Sequence, residues 1–509
     1  GDVHIIKLKE IEMLQYSFST RLSGAATLVI SPGRSDLPET LFVRFENETG
    51  AGLHPRDRTL PFTPVLSGAI LGSHGYGSHL IEIRIDRPLP QGIITLLEQH
   101  EGVVVFEIKM GQNQIVRSLL SRLKKRPPLT AAYGVLVNNY AEAILKEGVV
   151  DYCAMGEGEE VIPQLVAWML QGRKGPAPSG LKFMTNGTIF STGTVPAAST
   201  DDMPFIPLSV LKSNRYYKNS FPVYIGRPLR WGFVLANRGC MFNCNFCTAM
   251  TRQSILKDYR LCNPRRLYDE MKYQVEEGGR NIISIEGDLF TGSRQWTQQM
   301  CDLLISEGWK HPWIAETRFD CLDEELLHIL KRAGCVGLSC GLESGSDKVL
   351  KNLNKRETVA KIRQIGALIK KLGFAARCTA MVGAPGETRD DFEETVALIK
   401  ELNPLTAQMT FCTPYPDTVI AQHTVANPEM MRFEAVSLNL CEIPAQELQR
   451  LRMSFYRRFY MSGNYLKAHA GNWLGYSLMN PVRAFNLIGL FALFMMRQIK
   501  VAVSRIFHN

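Results

Sequence analysis

Short apolar runs rich in β-formers alternate with helix-patterned stretches twice along the chain, and that alternation limits the fold more than any other feature. Between Ala26 and Gln171 the runs are ATLVISP (26–32), LIEIRID (80–86), VVVFEIKM (103–110), TAAYGVLV (130–137) and VDYCAMGE (150–157). Stretches of helical spacing such as NQIVRSLLSRLKKR separate them. Five strands with intervening helices predict a doubly wound parallel sheet of flavodoxin or Rossmann type over residues 1–171. Such sheets bind ligands beyond the carboxyl ends of their strands. The loops KMGQNQ (109–114), GVLVNN (134–139) and GEGEE (156–160) are therefore the ones expected to face a ligand.

Residues 172–230 break this rhythm: GRKGPAPSG has a linker composition, and Asn186-Gly187 between two alternating runs predicts a hairpin. The alternation restarts with WGFVLANRG (231–239), NIISIEG (281–287), PWIAETR (312–318), CVGLSCGLE (335–343), AARCTAMVG (375–383) and TAQMTFCTPY (406–415). Six parallel strands with helical crossovers over 231–420 fit a (β/α) barrel or partial barrel, with its reactive residues at the carboxyl ends of the strands. A helical region with a basic, apolar tail is expected over 421–509.

The formal charge of +9 is carried entirely by the end of the chain. From Arg450 to Asn509 there are nine basic residues and no Asp or Glu, which leaves 49 of each sign before it. Nucleic-acid binding wants basic charge spread over a folded face among stacking aromatics, so that class is excluded. Twelve irregularly spaced cysteines behind a charged opening, GDVHIIKLKE, argue for a reducing cytoplasm and free thiols.

Three of those thiols form Cys240-x3-Cys244-x2-Cys247, just after the first strand of the second rhythm. Structural zinc and most iron–sulfur clusters take four protein ligands. Three thiolates on one loop can hold three irons of a cubane and leave the fourth iron open for chemistry. Three buried cysteines, or a zinc site completed from elsewhere, are the alternatives the triplet leaves standing.

Here the chain resembles the radical S-adenosylmethionine (SAM) enzymes, whose C-x3-C-x2-C signature, on a loop after the first strand of a partial (β/α)6 barrel, has an aromatic residue before the third cysteine, here Phe246. SIEGDLF (284–290), AETRFD (315–320), GLESGSDKVLKNLNK (341–355) and MVGAPGET (381–388) resemble that family's second- to fifth-strand segments. PYPDT (414–418) resembles a closing motif, with Asp417 where glycine is usual. The resemblance implies a 4Fe–4S cluster on Cys240, Cys244 and Cys247, SAM bound to the open iron, and its cleavage to a 5′-deoxyadenosyl radical. It also implies that Phe246 packs by the adenine and that Glu286 and Asp288 meet the SAM amino group. Glu316, Arg318 and Glu343 would contact its carboxylate or ribose, and Gly383 would let the backbone approach the adenosine.

The first sheet resembles the cobalamin-binding domain that precedes the radical domain in one subfamily. VVDYCAMGEGEEVIPQLV (149–166) matches its closing strand, turn and helix, and EIKMGQNQI (107–115) resembles a cobalamin-facing loop. Cobalamin contacts are thereby implied for Met110, Gly111, Gln112, Asn113, Gly134, Val135, Gly156, Glu157, Gly158 and Glu159. The subfamily's usual Asp-x-His-x-x-Gly is absent, since His74 and His79 have no aspartate two residues before them and read as ordinary loop histidines. A bound cobalt would then lack a protein histidine ligand. AYGVLVNN also lacks the Gly-Gly-x-His pattern common there, so a domain that binds nothing stays open.

The function so implied is a cobalamin-dependent radical SAM methyltransferase acting on an unactivated carbon. An enzyme with the same cofactors that cyclises or rearranges its substrate is the alternative; a non-catalytic iron–sulfur sensor is a third reading from another class. Cys412 and Tyr415, at the end of the last strand, are the candidate catalytic residues, and Cys441 lies beyond them. The expected partners are a small, hydrophobic or lipid-like substrate and an external electron donor such as flavodoxin or ferredoxin. LIGLFALFMM (487–496), flanked by Arg483, Arg497, Lys500 and Arg505, is too short to span a bilayer, which takes roughly 20 apolar residues. It predicts peripheral attachment to the cytoplasmic membrane face; a packing or dimer-interface helix is the alternative.

Overall fold

The structure, a computed structural model, describes residues 25–33, 39–46, 60–84, 88–109, 112–193, 195, 199–218, 220–248, 259–422 and 438–481. Of these, the residues up to Ser213 form one compact unit and those from Asn214 a second.

The first unit holds one sheet of eight strands. They are β1 (Ala25–Ser31), β2 (Thr40–Glu46), β3 (Ser78–Arg84), β4 (Val103–Glu107), β5 (Leu129–Tyr133), β6 (Tyr152–Ala154), β7 (Leu181–Thr185) and β8 (Thr188–Ser191). The spatial order is β1-β3-β2-β4-β5-β6-β7-β8, and β3, β2, β4, β5 and β6 are parallel. Along that parallel core the order is 2-1-3-4-5, the flavodoxin-like arrangement, which reverses between β2 and β4. Helices Phe62–Ser73, Gln91–Gln99, Asn113–Ser121 and Val135–Lys146 connect its strands, and Gly158–Leu170 follows β6. Strand β4 shows why the sheet is parallel: Val103, Val104, Val105 and Phe106 are all 0% exposed, the unbroken apolar run of a strand covered on both faces.

Three sequence expectations change here. ATLVISP is not a parallel strand, because β1 runs antiparallel to β3 at the sheet edge. The first parallel strand is β2, TLFVRFE, whose Arg44 and Glu46 break the apolar pattern that would have announced it. Arg44 is buried there because Glu82 at 3.5 Å and Glu107 at 3.0 Å neutralise it. The Asn186-Gly187 hairpin, read as part of a linker, is β7–β8, and it extends this sheet through antiparallel pairing of β7 with β6. The free edge of β6 supplies the backbone donors and acceptors that the hairpin satisfies.

In the second unit all six expected strands form: β9 (Trp231–Leu235), β12 (Ile282–Glu286), β13 (Trp313–Thr317), β14 (Cys335–Glu343), β15 (Ala375–Val382) and β16 (Thr406–Phe411). They pair in parallel in the order β16-β15-β14-β13-β12-β9. A short antiparallel ladder, β10 (Asn237–Arg238) with β11 (Arg260–Leu261), follows β9. Val234, Ile283, Ile285, Trp313, Ala315, Leu338, Cys378 and Ala407 belong to one apolar core with the surrounding helices. By the two-residue strand period Ser284, Glu286, Glu316, Ser339, Glu343, Arg377 and Gln408 lie on the opposite, inner face, which is therefore polar.

Strand β16 ends this ladder, and its outer backbone groups are met by tyrosines of the helix Ala445–Tyr460. The Tyr456 hydroxyl accepts from the Met409 amide at 3.1 Å and donates to its carbonyl at 3.2 Å. Tyr460 does the same at Ala407, at 2.9 and 3.0 Å.

Candidate active site

The cysteine loop starts at Gly239, whose φ of 82° suits glycine and turns the chain out of the short ladder. The Gly239 amide donates to Asp288 Oδ2 at 2.7 Å. Asn237 braces the same corner: its side-chain oxygen accepts from the Asp288 and Leu289 amides at 2.8 and 3.2 Å. At the other end the Asn245 amide donates to the Leu353 carbonyl at 3.0 Å, and the Asn354 side chain donates to the Asn243 carbonyl at 2.6 Å. The Cys247 amide closes a turn onto the Cys244 carbonyl at 3.1 Å. The loop is thus tied both to the end of β12 and to the segment after β14.

Cys244 is buried, Cys240 and Cys247 are partly exposed, and all three are free thiols. Among the described residues no three His, Cys, Asp or Glu side chains gather tightly enough to share one metal ion. A cubane takes each thiolate at a different iron, and three thiols on one short, pinned loop are a donor set that fits it.

Beneath Cys244 lies a buried charge network. Arg318 donates to both Asp320 oxygens at 2.8 and 2.7 Å, to the Lys355 carbonyl at 2.6 Å and to Cys244 Sγ at 3.4 Å. Lys355 Nζ lies 3.5 Å from Glu343 and 3.7 Å from Glu357. Burial pushes Glu357 up to about 7, against the pull of Lys355. Burial likewise pushes the Cys244 thiol up, with Lys355 and Arg318 opposing it. Arg318, expected at the SAM carboxylate or ribose, is held here by groups of its own chain, and its nearest carboxylate stands two residues on in the same motif, AETRFD.

Glu286 and Glu316 do sit together on the inner face, but with a partner the sequence did not announce. Lys218, only 2% exposed, reaches Glu286 at 2.8 Å and Glu316 at 3.6 Å. It comes from RYYKNS (215–220), which belongs to no recognisable motif. Glu343 ends β14 with φ of 64°, a left-handed conformation that is costly for a glutamate.

Gly383 has φ of 85°, and its amide donates to Glu387 Oε2 at 2.5 Å, as does that of Ala384 at 3.2 Å. The other oxygen of Glu387, Oε1, is buried without a hydrogen-bond partner. Phe246 packs on a small apolar cluster of Val349, Leu353, Met381, Ala384 and Cys412. Cys412 therefore lies beside the cysteine loop, its thiol pushed up to about 12 by burial. Burial also raises the Tyr415 phenol above its usual range.

In the first unit Gly134, Gly156, Glu157, Gly158 and Glu159 follow the carboxyl ends of β5 and β6. Gly134, with φ of 122°, passes the β4 end so closely that a Cβ would come within 2.7 Å of the Ile108 carbonyl oxygen. Gly156, with φ of 84°, faces open space, and the Asn138 side chain holds its amide at 2.8 Å. Glu159 turns inward instead, 1% exposed, and accepts from Thr63 at 2.8 Å. Gln112 donates to the Phe45 carbonyl at 3.1 Å across the β2/β4 reversal, and Asn113 donates to Glu147 at 3.2 Å. Met110, Gly111 and the Val135 side chain lie outside what the structure describes. His79 is not a loop residue: it belongs to β3 and pairs with Glu39 at 3.1 Å. His74 closes the preceding helix onto the Ile70 carbonyl at 2.9 Å.

A partial barrel with a three-thiol loop after its first strand, on one chain with a flavodoxin-order sheet, defines an iron–sulfur α/β enzyme class. Residues 234–399 match the model of the Radical SAM superfamily, so the chain carries a radical SAM domain, a domain that works with a 4Fe–4S cluster and SAM. It is 26% identical over 320 residues to an uncharacterized methyltransferase of Pyrococcus horikoshii, covering 61% of this chain and 68% of the relative. It is 27% identical to the anaerobic magnesium-protoporphyrin IX monomethyl ester cyclase of Rubrivivax gelatinosus, covering 64% of this chain and 59% of that protein. Its fold is similar to that of the radical SAM methyltransferase TsrM of Kitasatospora setae, solved with cobalamin and a 4Fe–4S cluster. The TM-score is 0.58 at 14% identity, over 83% of this chain and 82% of that one.

Proposed function

We propose that this protein is a cobalamin-dependent radical SAM methyltransferase acting on an unactivated carbon. The observation that carries the reading is the 2-1-3-4-5 sheet, with its strand-order reversal and open glycine turn, on the same chain as the three-thiol barrel loop. Cys240, Cys244 and Cys247 would hold the cluster, Glu286 and Asp288 would meet the SAM amino group, and Glu316 would lie toward its carboxylate or ribose, with Lys218 between Glu286 and Glu316. Gly383 would admit the adenosine, and the turns at Gly134 and Gly156 would admit cobalamin, with no histidine given to cobalt. Together these groups supply one-electron cleavage of SAM and a transferable methyl group. The chain's own residues pin the loop and bury Cys244. An external one-electron donor, flavodoxin or ferredoxin, completes the requirements.

Counting products tests this. A methyltransferase releases both 5′-deoxyadenosine and S-adenosylhomocysteine with each turnover; a cyclase, the second reading favoured by the Rubrivivax relative, releases no homocysteine product in step with turnover. Reconstituted wild-type chain should hold about four irons, whereas Cys244→Ala should lose both the cluster and SAM cleavage. Retained cleavage in that variant would sink the assignment.

The same reading includes a hydrophobic substrate and contact with a membrane surface. Leu466, Leu474 and Leu478 on the last described helix, Gly463–Met479, are 55, 64 and 67% exposed, just before the basic, apolar tail. LIGLFALFMM itself lies outside the described residues.

A further inference from the structure

Arg318 is held by contacts that its motif does not announce. Its side chain is 6% exposed, and Asp320 grips it with two parallel hydrogen bonds. Such a fork holds a guanidinium in one plane. The ring of Phe242 lies across that plane, 3.8 Å from the guanidinium carbon. Both constraints aim the one remaining nitrogen, Nη1, at Cys244 Sγ, 3.4 Å away. Phe242 belongs to the cysteine loop, so that loop supplies both the acceptor and the lid of this arrangement.

A hydrogen bond to a ligand sulfur withdraws charge from the cluster, and a buried cation beside it favours the form with one more electron. We propose that Arg318 is a positioning residue that raises the reduction potential of the cluster through Cys244. SAM cleavage draws its electron from the reduced cluster, so this contact sets how readily an external donor can fill it. The inference rests on the cluster assignment alone and is indifferent to which group is finally transferred.

The test is a redox titration of the reconstituted full chain without SAM, read by the electron paramagnetic resonance of the reduced cluster. At the potential where wild-type clusters are half reduced, Arg318→Met should show a reduced-to-oxidised ratio about tenfold lower, a midpoint fall of about 59 mV for one electron. Arg318→Lys keeps the charge but not the fork and should fall in the same direction by less. Unchanged midpoints in variants that carry the cluster overturn the inference. If neither variant carries one, wild-type protein labelled with 15N-arginine decides the matter. Its reduced cluster should show a coupled arginine nitrogen in electron–nuclear double resonance, and absence of coupling refutes the contact. A wild-type chain that assembles no cluster fails the radical SAM assignment instead, which is a different result.

Discussion

Lys218 has no motif to announce it, yet it holds together two of the carboxylates on which SAM binding is proposed to rest. Removing one partner from a buried ion pair leaves the other charge uncompensated, so Lys218→Met should lower stability by about 3 kcal/mol, seen as a lower urea midpoint. Adding Glu286→Gln should restore part of that loss, and strict additivity of the two changes would refute the pairing. Glu387 gives a second prediction at this scale. Burial holds its carboxyl up at about 7 rather than the usual 4.5, although the Gly383 and Ala384 amides oppose the shift. The folded chain therefore keeps this proton where the unfolded chain has lost it, and the group's contribution to stability falls as pH rises from about 4.5 to about 7. The nearby charges do not confuse that window: Asp391, paired with Lys348, is driven below it, and the Cys412 thiol titrates above it. Glu387→Gln should flatten the fall and be the more stable protein at pH 8, by up to about 3 kcal/mol; parallel curves for both proteins would contradict this. The cysteine triplet was legible from its spacing, while its reading as a cluster loop came from the run of strand-end motifs around it. Arg318 was legible as a strand-end charge but not in its grip by Asp320, although that carboxylate two residues on was the signal available.

Elements show the same division between what a pattern states and what only packing decides. Every barrel strand was readable, because each is an apolar run between helical stretches and, β9 apart, each carries polar residues on the face turned from the core. Strand β2 was not, since its internal Arg44 is tolerable only through Glu82 and Glu107, which lie far away in sequence. The hairpin was readable as a turn, while its pairing with β6 was not, because an Asn-Gly signal fixes the loop and says nothing about which edge the strands seek. The guarding of β16 belongs to this class as well. Tyr456 and Tyr460 stand four residues apart on one helix face, and each meets an amide and a carbonyl of the edge strand. Tyr456→Phe removes one hydroxyl and leaves the Met409 backbone donor and acceptor buried with nothing to bond. It should cost about 2 kcal/mol and raise the amide exchange rate at Met409 selectively. Unchanged exchange there would mean that the hydroxyl does not guard the edge.

For the molecule as a whole, the charge imbalance is the property that neither sheet explains, because every excess base lies beyond Gln449. Packing employs Arg452, buried over Phe411, and Arg458, paired with Glu393, but it gives no reason for the other seven bases without one acid among them, or for three leucines shown to solvent. At an anionic bilayer both features become favourable, with each basic residue near the surface contributing about 1 kcal/mol and the leucines entering the boundary region. No described helix is long and apolar enough to cross a membrane; the ten apolar residues of LIGLFALFMM, where a span takes roughly 20, suit attachment at the surface. The structure also determines where the chain should be cut to test it. Asn480 is buried and its side chain accepts from the Leu229 amide at 3.0 Å, while Tyr476 is 1% exposed, so truncation at Tyr476 would damage the barrel unit itself. A chain ending at Pro481 keeps both contacts and removes the apolar run with its flanking bases. Full-length protein should float with anionic liposomes, less so with neutral ones, and release as salt rises past roughly 0.15 M. The chain ending at Pro481 should bind weakly through its leucines alone, and adding Leu474→Gln and Leu478→Gln should abolish what remains. Full-length protein that stays in the soluble fraction with both kinds of vesicle would return the tail to a packing role.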